Sequence, residues 1–185
     1  GKSWIYIMSA KSASGQGGSV KLKIVNLAPR NLKGKKVVPQ KTSIGNFTEF
    51  SFVVSDDKGI YQYAKQEPTD LEPKINSAPD YIIKFPIKIG TSWDDVYKTS
   101  FLNQEIELPL QISIVDVSED VYVSVGSFSK CIHVKEIGTI NKDMGTAFGK
   151  AQVTVELHSW YAPGVGFVRA VIKEKSNHLS LGSGV

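Results

Sequence analysis

Apolar and polar residues alternate with a period of two along most of this chain, which predicts β-strands rather than helices. The clearest example is residues 20–25, where three aliphatic side chains would face a core while the lysines between them face water. Residues 4–8 are aromatic and aliphatic, and a glycine-rich turn at 12–19 separates the two segments. We therefore expect a β-hairpin here.

The rest of the chain continues this pattern, with turn residues between the alternating segments. The segment 36–42 contains Pro39, which favours an edge strand or a bulge because proline cannot donate to a ladder. The best helix candidate, 94–101, is short and lacks a cap. We therefore predict an all-β protein, an antiparallel curved sheet forming a barrel or half-barrel, since open edges invite aggregation. Further strands are predicted at 48–54, 59–65, 99–105, 109–117, 121–125, 131–134, 153–157 and 167–173.

A short phrase ending in tryptophan occurs twice, as GKSW at 1–4 and as GTSW at 90–93. In each half a later apolar strand begins with a glycine, Gly59 in the first and Gly166 in the second. Such self-similarity predicts one β-unit used twice. The predicted boundaries are 1–185 for a single β-domain, about 1–75 and 81–185 for its two similar halves, and 66–80 for a proline-rich connector.

Positive charge is concentrated in one segment, although the net charge is only +4. Between positions 11 and 41 the chain carries eight lysines and arginines and no acidic residue. Such a block attracts phosphate, anionic lipid or acidic polysaccharide, or simply keeps an outer face and an edge strand soluble. It holds no aromatic residue on which bases could stack, so nucleic acid is not an expected partner. The candidate polyanion-docking residues are Lys21, Lys23, Lys33, Lys35 and Lys36.

The only cysteine, Cys131, excludes an internal disulfide. His133 lies two residues further along the same predicted strand and on the same face. Their side chains would be about 6.5–7 Å apart, too far for a direct hydrogen bond on an unbent strand. At this distance the histidine would not activate the thiol as a nucleophile. A hydrolase is therefore a disfavoured alternative, and no catalytic residue is predicted.

Metal binding has little support in the sequence. The histidines are widely separated and show no zinc-ligand spacing. Pairs of adjacent acidic residues fall in predicted turns, but none belongs to a 12-residue calcium loop. We predict no metal and no cofactor. The histidines considered are His133, His158 and His178, and the acidic pairs lie at 56–57, 94–95 and 119–120.

Three phrases in the second half occur together: PIKIGTSW at 86–93, VSVGSFSKCIHV at 123–134 and WYAPGVG at 160–166. In this order they resemble a family of bacterial extracytoplasmic domains of unknown function, often carried on lipoproteins. Trp160 replaces the first tyrosine of the family's last phrase, and residues 124–125 replace its usual proline and alanine. The resemblance implies a secreted or lipid-anchored β-domain, periplasmic or outside the cell, and brings no catalytic residue.

These features predict a non-enzymatic, secreted or envelope-associated β-domain that binds an apolar or amphipathic ligand in its concave face, or acts as a scaffold. The alternative is a protein–protein or polyanion-docking module that uses the basic segment 11–41. Expected partners are a lipid or other apolar ligand and an envelope protein. Membrane contact is expected only through an anchor before Gly1, since no stretch approaches about 18 apolar residues. The candidate ligand-lining residues are Trp4, Tyr6, Phe50, Phe52, Trp93, Phe128, Trp160 and Phe167.

Overall fold

The computed structural model describes residues 2–11, 15–101, 104–143 and 149–177. Within these residues it consists of β-strands in two antiparallel sheets, with no helix, which confirms the all-β prediction. No helix of this part is therefore long and apolar enough to cross a membrane. The strands are β1 Ser3–Lys11, β2 Gly17–Asn26, β3 Arg30–Leu32, β4 Lys35–Ile44, β5 Phe47–Asp56, β6 Gly59–Gln66, β7 Lys74–Lys84, β8 Ser92–Phe101, β9 Gln104–Val123, β10 Gly126–Asp143, β11 Lys150–Ala162 and β12 Gly166–Ser176.

The chain divides into two compact units, of which the first comprises residues 2–10 and 17–86 and the second continues from Ile87. The first unit is a meander in the order β1-β2-β4-β5-β6-β7, with the short β3 paired to β4. The expected β1–β2 hairpin is confirmed. The core of this unit packs on the three central strands, where aliphatic and aromatic side chains point to one side. Its buried members are Val37, Phe52, Val54, Tyr61 and Ala64.

Pro39 lies on β4, a central strand whose register with β5 is uninterrupted, so the expectation of an edge or bulge is wrong. Pairing with β2 ends at Gln40, and pairing with β3 begins at Val37. Pro39 occupies the gap between these two ladders. Its carbonyl accepts a hydrogen bond of 2.8 Å from the Leu27 N–H. Proline has no N–H group, and at this position no ladder bond requires one.

Residues 66–80, expected to be an extended connector, contain a turn and the beginning of β7. The Asp70 carboxylate closes the turn by accepting from the Glu67 N–H at 3.0 Å. Strand β7 then pairs with β6 as an edge strand of the first sheet. Pro79 falls in the register interruption between Ile75 and Asp80, where its missing N–H costs no ladder bond.

The second unit is a five-stranded meander from β8 to β12. The segment predicted at 109–117 and residues 121–123 of the next predicted segment belong to one strand, β9, of 20 residues. The helix candidate at 94–101 is part of β8. One face of this sheet, the aliphatic face, carries most of the buried side chains. They are Trp93, Leu108, Leu110, Ile112, Ile114, Val134, Val153 and Val155.

The opposite face of the second sheet also carries buried residues, at the end where β9 turns into β10. We call it the histidine face because His133 and His158 lie on it beside Trp160. The sheet is thus covered on both sides in this region, which explains why apolar residues stand at both odd and even positions of β10 and β11. The buried members of this smaller cluster are Val121, Cys131, Trp160 and Ala162.

Candidate functional site

Strand β1 is the free edge of the first sheet and carries exposed isoleucines on one of its faces. Two hydrogen bonds fix its pairing with β2: Ser9 Oγ to Ser19 Oγ at 2.8 Å, and Asn26 N to Lys2 O at 2.9 Å. Both belong to one register, which places Ile7 opposite Lys21 and Ile5 opposite Lys23.

These four side chains form what we call the β1–β2 face. Ile5 is 65% exposed and Ile7 is 61% exposed. Lys21 and Lys23 are also exposed, and neither forms an ion pair with another described residue. The face is therefore both apolar and positively charged, and nothing in the described part of its own sheet neutralises it.

The alternation of β1 sends its aromatic residues to the other side of the sheet. Trp4 and Tyr6 are half-buried there, and burial raises the pKa of the Tyr6 phenol. The same rule sends Leu22 and Ile24 of β2 to that side, where they are half-buried.

The remaining polyanion-docking candidates lie elsewhere, around the β3–β4 turn. Lys33 adopts φ of 46° in this turn, which Asn31 closes by accepting from the Gly34 N–H at 2.9 Å. Lys35 lies 3.9 Å from the Asp56 carboxylate. Lys36 is exposed. The five predicted lysines thus form two groups, and the pair on β2 lies opposite the exposed isoleucines of β1.

The aromatic residues predicted to line a ligand site do not share one surface. Phe52 is in the core of the first unit, and Phe50 packs against it. Trp93 is buried on the aliphatic face of the second unit, whereas Trp160 and Phe128 belong to the cluster on the histidine face. The half-buried residues are Trp4, Tyr6 and Phe167, the last beside Tyr161 with ring centroids 5.8 Å apart.

The histidine face holds a chain of hydrogen-bonded ionisable groups, which we call the ionisable chain. It runs from Glu119 Oε2 to His133 Nδ1 at 2.8 Å, and from His133 Nε2 to His158 Nδ1 at 2.8 Å. It continues from His158 Nε2 to Glu156 Oε1 at 3.0 Å and from there to Lys135 Nζ at 2.9 Å. Three strands, β9, β10 and β11, are linked by these contacts.

The register of β10 and β11 explains how residues so distant in sequence meet. His133 lies opposite Trp160, and Lys135 lies opposite His158, so all four side chains share one face. The His133 ring stacks on Trp160 with centroids 4.4 Å apart, and the Arg169 guanidinium lies 5.1 Å from the same indole. The indole thus lies between an imidazole and a cation.

The electrostatics of the chain follow from burial and contact. Burial lowers the pKa of His133, as does the nearby His158, while Glu119 and Asp116 oppose the shift. Hydrogen bonds from Lys135 and His158 lower the pKa of Glu156 to about 2. The carboxylate of Glu156 therefore stays ionised down to strongly acid pH.

Cys131 is fully buried, and its sulfur lies 3.5 Å from the Phe128 carbonyl oxygen. Burial raises the pKa of the thiol, and the Asp120 and Glu119 carboxylates raise it further. A neutral, enclosed thiol is a poor nucleophile. The imidazole of His133 is turned to Glu119 and His158, so the Cys–His arrangement of the hydrolase alternative gains no support.

Comparison with family models, with curated proteins and with solved structures finds no match for this chain. Within the described residues, no group of three or more His, Cys, Asp or Glu side chains could hold a metal ion. Among the histidines considered above, His178 lies outside the described residues. The His133–His158 contact was not expected from the sequence, because it depends on the register of a hairpin with 24 residues between the two rings.

Proposed function

We propose that this chain is a non-enzymatic β-module that docks on an anionic lipid surface through the β1–β2 face. One observation carries the proposal: two isoleucines, each more than 60% exposed on an edge strand, lie opposite two lysines. A soluble protein gains nothing by exposing such side chains on a long edge strand, where they favour aggregation. Against a membrane, the isoleucines would enter the acyl boundary while the ammonium groups remain among the headgroups.

The expected binding energy is modest. Burying the exposed parts of two isoleucines contributes about 2–4 kcal/mol. Each lysine near an anionic surface contributes about 1 kcal/mol, so Lys21 and Lys23 together add about 2 kcal/mol. The sum corresponds to dissociation constants of roughly 0.05–1 mM in accessible lipid. Binding of this strength is reversible unless a second attachment reinforces it.

The apolar half of the face distinguishes lipid from other polyanions. An acidic polysaccharide or free phosphate would engage the lysines and leave Ile5 and Ile7 in water. A lipid surface engages both, so apolar and charge-removing substitutions should each weaken binding. An acidic protein partner would show up as binding that does not need lipid.

A half-barrel form of the second sheet belongs to the same proposal. Tyr97 on β8 donates a hydrogen bond of 3.0 Å to Glu174 on β12, so the two edge strands of this sheet approach each other. At Gly138 an added Cβ would collide with the Pro109 carbonyl oxygen, a close approach of β9 and β10 that supports a strongly curved sheet. Buried aliphatic side chains occupy the curled face, so we assign docking to the β1–β2 face instead.

Internal duplication and an extracytoplasmic location complete the proposal. Trp4 and Trp93 both lie on the first strand of a meander. In sheet order, Gly59 and Gly166 both begin the fifth strand of their meander. The similar placement of the two phrases supports a repeated β-unit, and the family resemblance of the second half supports a secreted or lipid-anchored protein.

Vesicle co-sedimentation tests the docking face. We expect the protein to bind vesicles of equimolar phosphatidylglycerol and phosphatidylcholine and not pure phosphatidylcholine. The double change Ile5→Ser with Ile7→Ser should weaken binding by about thirtyfold or more, because about 2 kcal/mol or more of apolar burial is lost. The double change Lys21→Gln with Lys23→Gln should weaken it by roughly thirtyfold.

Two matched controls separate this face from general hydrophobicity or charge. Leu71→Ser removes an apolar side chain that is 99% exposed in the β6–β7 turn and should leave binding unchanged. Lys33→Gln with Lys36→Gln removes two charges from the β3–β4 turn and should weaken binding less than threefold. If the turn variant loses as much as the β2 variant, or if the isoleucine variant binds normally, the proposed face is wrong.

A further inference from the structure

The ionisable chain contains four imidazole nitrogens in three contacts, and this count decides how many protons it needs. Two neutral imidazoles carry two N–H groups, so one of the three contacts lacks a proton. A third proton fills all three: one N–H to Glu119, one between the rings, and one to Glu156. A fourth would place two N–H groups against each other across the 2.8 Å ring-to-ring contact.

The ionisable chain covers an irregular part of the second sheet, so the number of protons that it holds affects the local structure. The register between β9 and β10 is interrupted three times from Phe128 to Val134, so the backbone ladder is weak there. The contact from Glu119 to His133 crosses this interrupted stretch. Beneath it lie Cys131, fully buried, and Trp160, on which the His133 ring is stacked. Separation of the two rings would move the His133 ring on Trp160 and so loosen the cover of this small cluster.

We propose that the ionisable chain is a proton-sensitive latch, closed while His133 and His158 together carry at most one additional proton and opened when both rings are protonated. The opened latch would shift the His133 ring away from Trp160 and admit solvent to Cys131. This inference concerns the second unit and is independent of the lipid-docking proposal.

The surrounding charges determine when the second proton enters. On β9, Glu119 and Asp116 attract it; on β10, Lys135 repels it. On β11, Glu156 is already paired with Lys135 and His158, and on β12 both Lys173, opposite Glu156, and Arg169 add positive charge. Burial lowers the pKa of His133, and the neighbouring His158 lowers it further. Two positive rings in contact repel each other, so the second additional proton enters at a lower pH than the first, and the latch opens on acidification.

Accessibility of Cys131 gives a direct readout, because it is the only thiol and is fully buried. We would measure its reaction with 4,4′-dithiodipyridine, which reacts at acid pH, relative to glutathione under the same conditions. Between pH 7.5 and pH 5, the relative rate should rise at least roughly tenfold. A difference of about one pKa unit between the closed and the open latch changes their populations by this factor. Far-UV circular dichroism should stay constant over the same range.

His158→Gln removes one of the two rings and should reduce this rise to less than about twofold, since the two N–H groups can no longer oppose each other. His178→Gln is the matched control, because it removes the histidine outside the described residues, and it should keep the full rise. A rise that persists in His158→Gln, a flat profile in the natural protein, or a parallel loss of circular dichroism would each overturn the latch.

A titration of the natural protein keeps the test independent of any variant. Nitrogen-detected NMR of the imidazole rings should show two coupled protonation steps for His133 and His158, separated by more than about one pH unit. Two independent titrations at the same pH would contradict a shared proton.

Discussion

The β1–β2 face and the histidine face are built from similar materials, apolar side chains beside charged groups on an open sheet, yet they differ in how those groups are satisfied. On the histidine face, each ionisable side chain from Glu119 to Lys135 has a partner within 3.0 Å. On the β1–β2 face, the lysines have no ion-pair partner among the described residues, and the isoleucines remain exposed. The first arrangement stabilises its own sheet, whereas the second suits contact with something outside the chain.

Of the substitutions considered, replacement of Trp160 on the histidine face should cause the largest loss of stability. Trp160→Ala deletes a buried indole that packs against His133 and Arg169. The free energy of unfolding should fall by about 3–5 kcal/mol, the usual cost of a buried aromatic residue. Urea unfolding followed by circular dichroism would measure it. Trp4→Ala, which removes a half-buried indole from the edge strand β1, should cost clearly less; equal losses would contradict the distinction between the two regions.

A smaller effect is expected within the core of the first unit. The Tyr61 hydroxyl donates a hydrogen bond of 2.8 Å to Asp56, and Tyr61→Phe should cost about 1 kcal/mol. Burial and the Asp56 carboxylate raise the pKa of Tyr61 to about 12, from an ordinary value of 10. The folded state thus holds this proton more tightly, so the contribution is complete below pH 10 and is lost as the pH rises toward 12.

The alkaline part of this prediction has a simple control. Thermal unfolding between pH 9 and pH 11 should show a weaker pH dependence in Tyr61→Phe than in the natural protein. Tyr122→Phe changes a tyrosine that is 74% exposed and should leave the profile unchanged. Identical profiles for the natural protein and Tyr61→Phe would show that the phenol of Tyr61 titrates normally.

The smallest effect concerns one carboxylate of the ionisable chain. The pKa of Glu156 is lowered to about 2 from 4.5, so its stabilising contribution is present above pH 4.5 and is lost as the pH falls toward 2. Glu156→Gln should therefore flatten the melting temperature across this acid range. Glu72→Gln, in the exposed β6–β7 turn, is the comparison and should keep the natural slope. A natural slope in Glu156→Gln would contradict the ion pair with Lys135.

The sequence predicted most of the strands and the basic segment because alternation is a local property. The prediction failed at Pro39, which lies on a central strand. The chain between β2 and β3 leaves a gap between their two ladders on β4, and Pro39 fits in this gap. The proline-rich stretch at 66–80 was misjudged for a related reason, since a register interruption accommodates Pro79 inside an edge strand.

The candidate sites were less predictable than the fold. Lys21 and Lys23 were identified from charge alone, but their pairing with Ile7 and Ile5 requires the hairpin register. The contact between His133 and His158 also depends on register, and no local spacing signals it. The predicted aromatic residues are distributed over two units and several faces, because alternation tells which side chains share a face of one strand and not which strands meet.

The most direct test of the account is the environment of position 7 on a membrane. Ile7→Cys can be labelled selectively with an environment-sensitive fluorophore, because Cys131 is fully buried and its thiol pKa is raised. On vesicles containing phosphatidylglycerol, we predict a blue-shifted emission that lipid-borne quenchers suppress, and no change for the same label at Leu71→Cys. An unchanged emission at position 7 while the protein binds the vesicles would contradict the β1–β2 face as the docking surface.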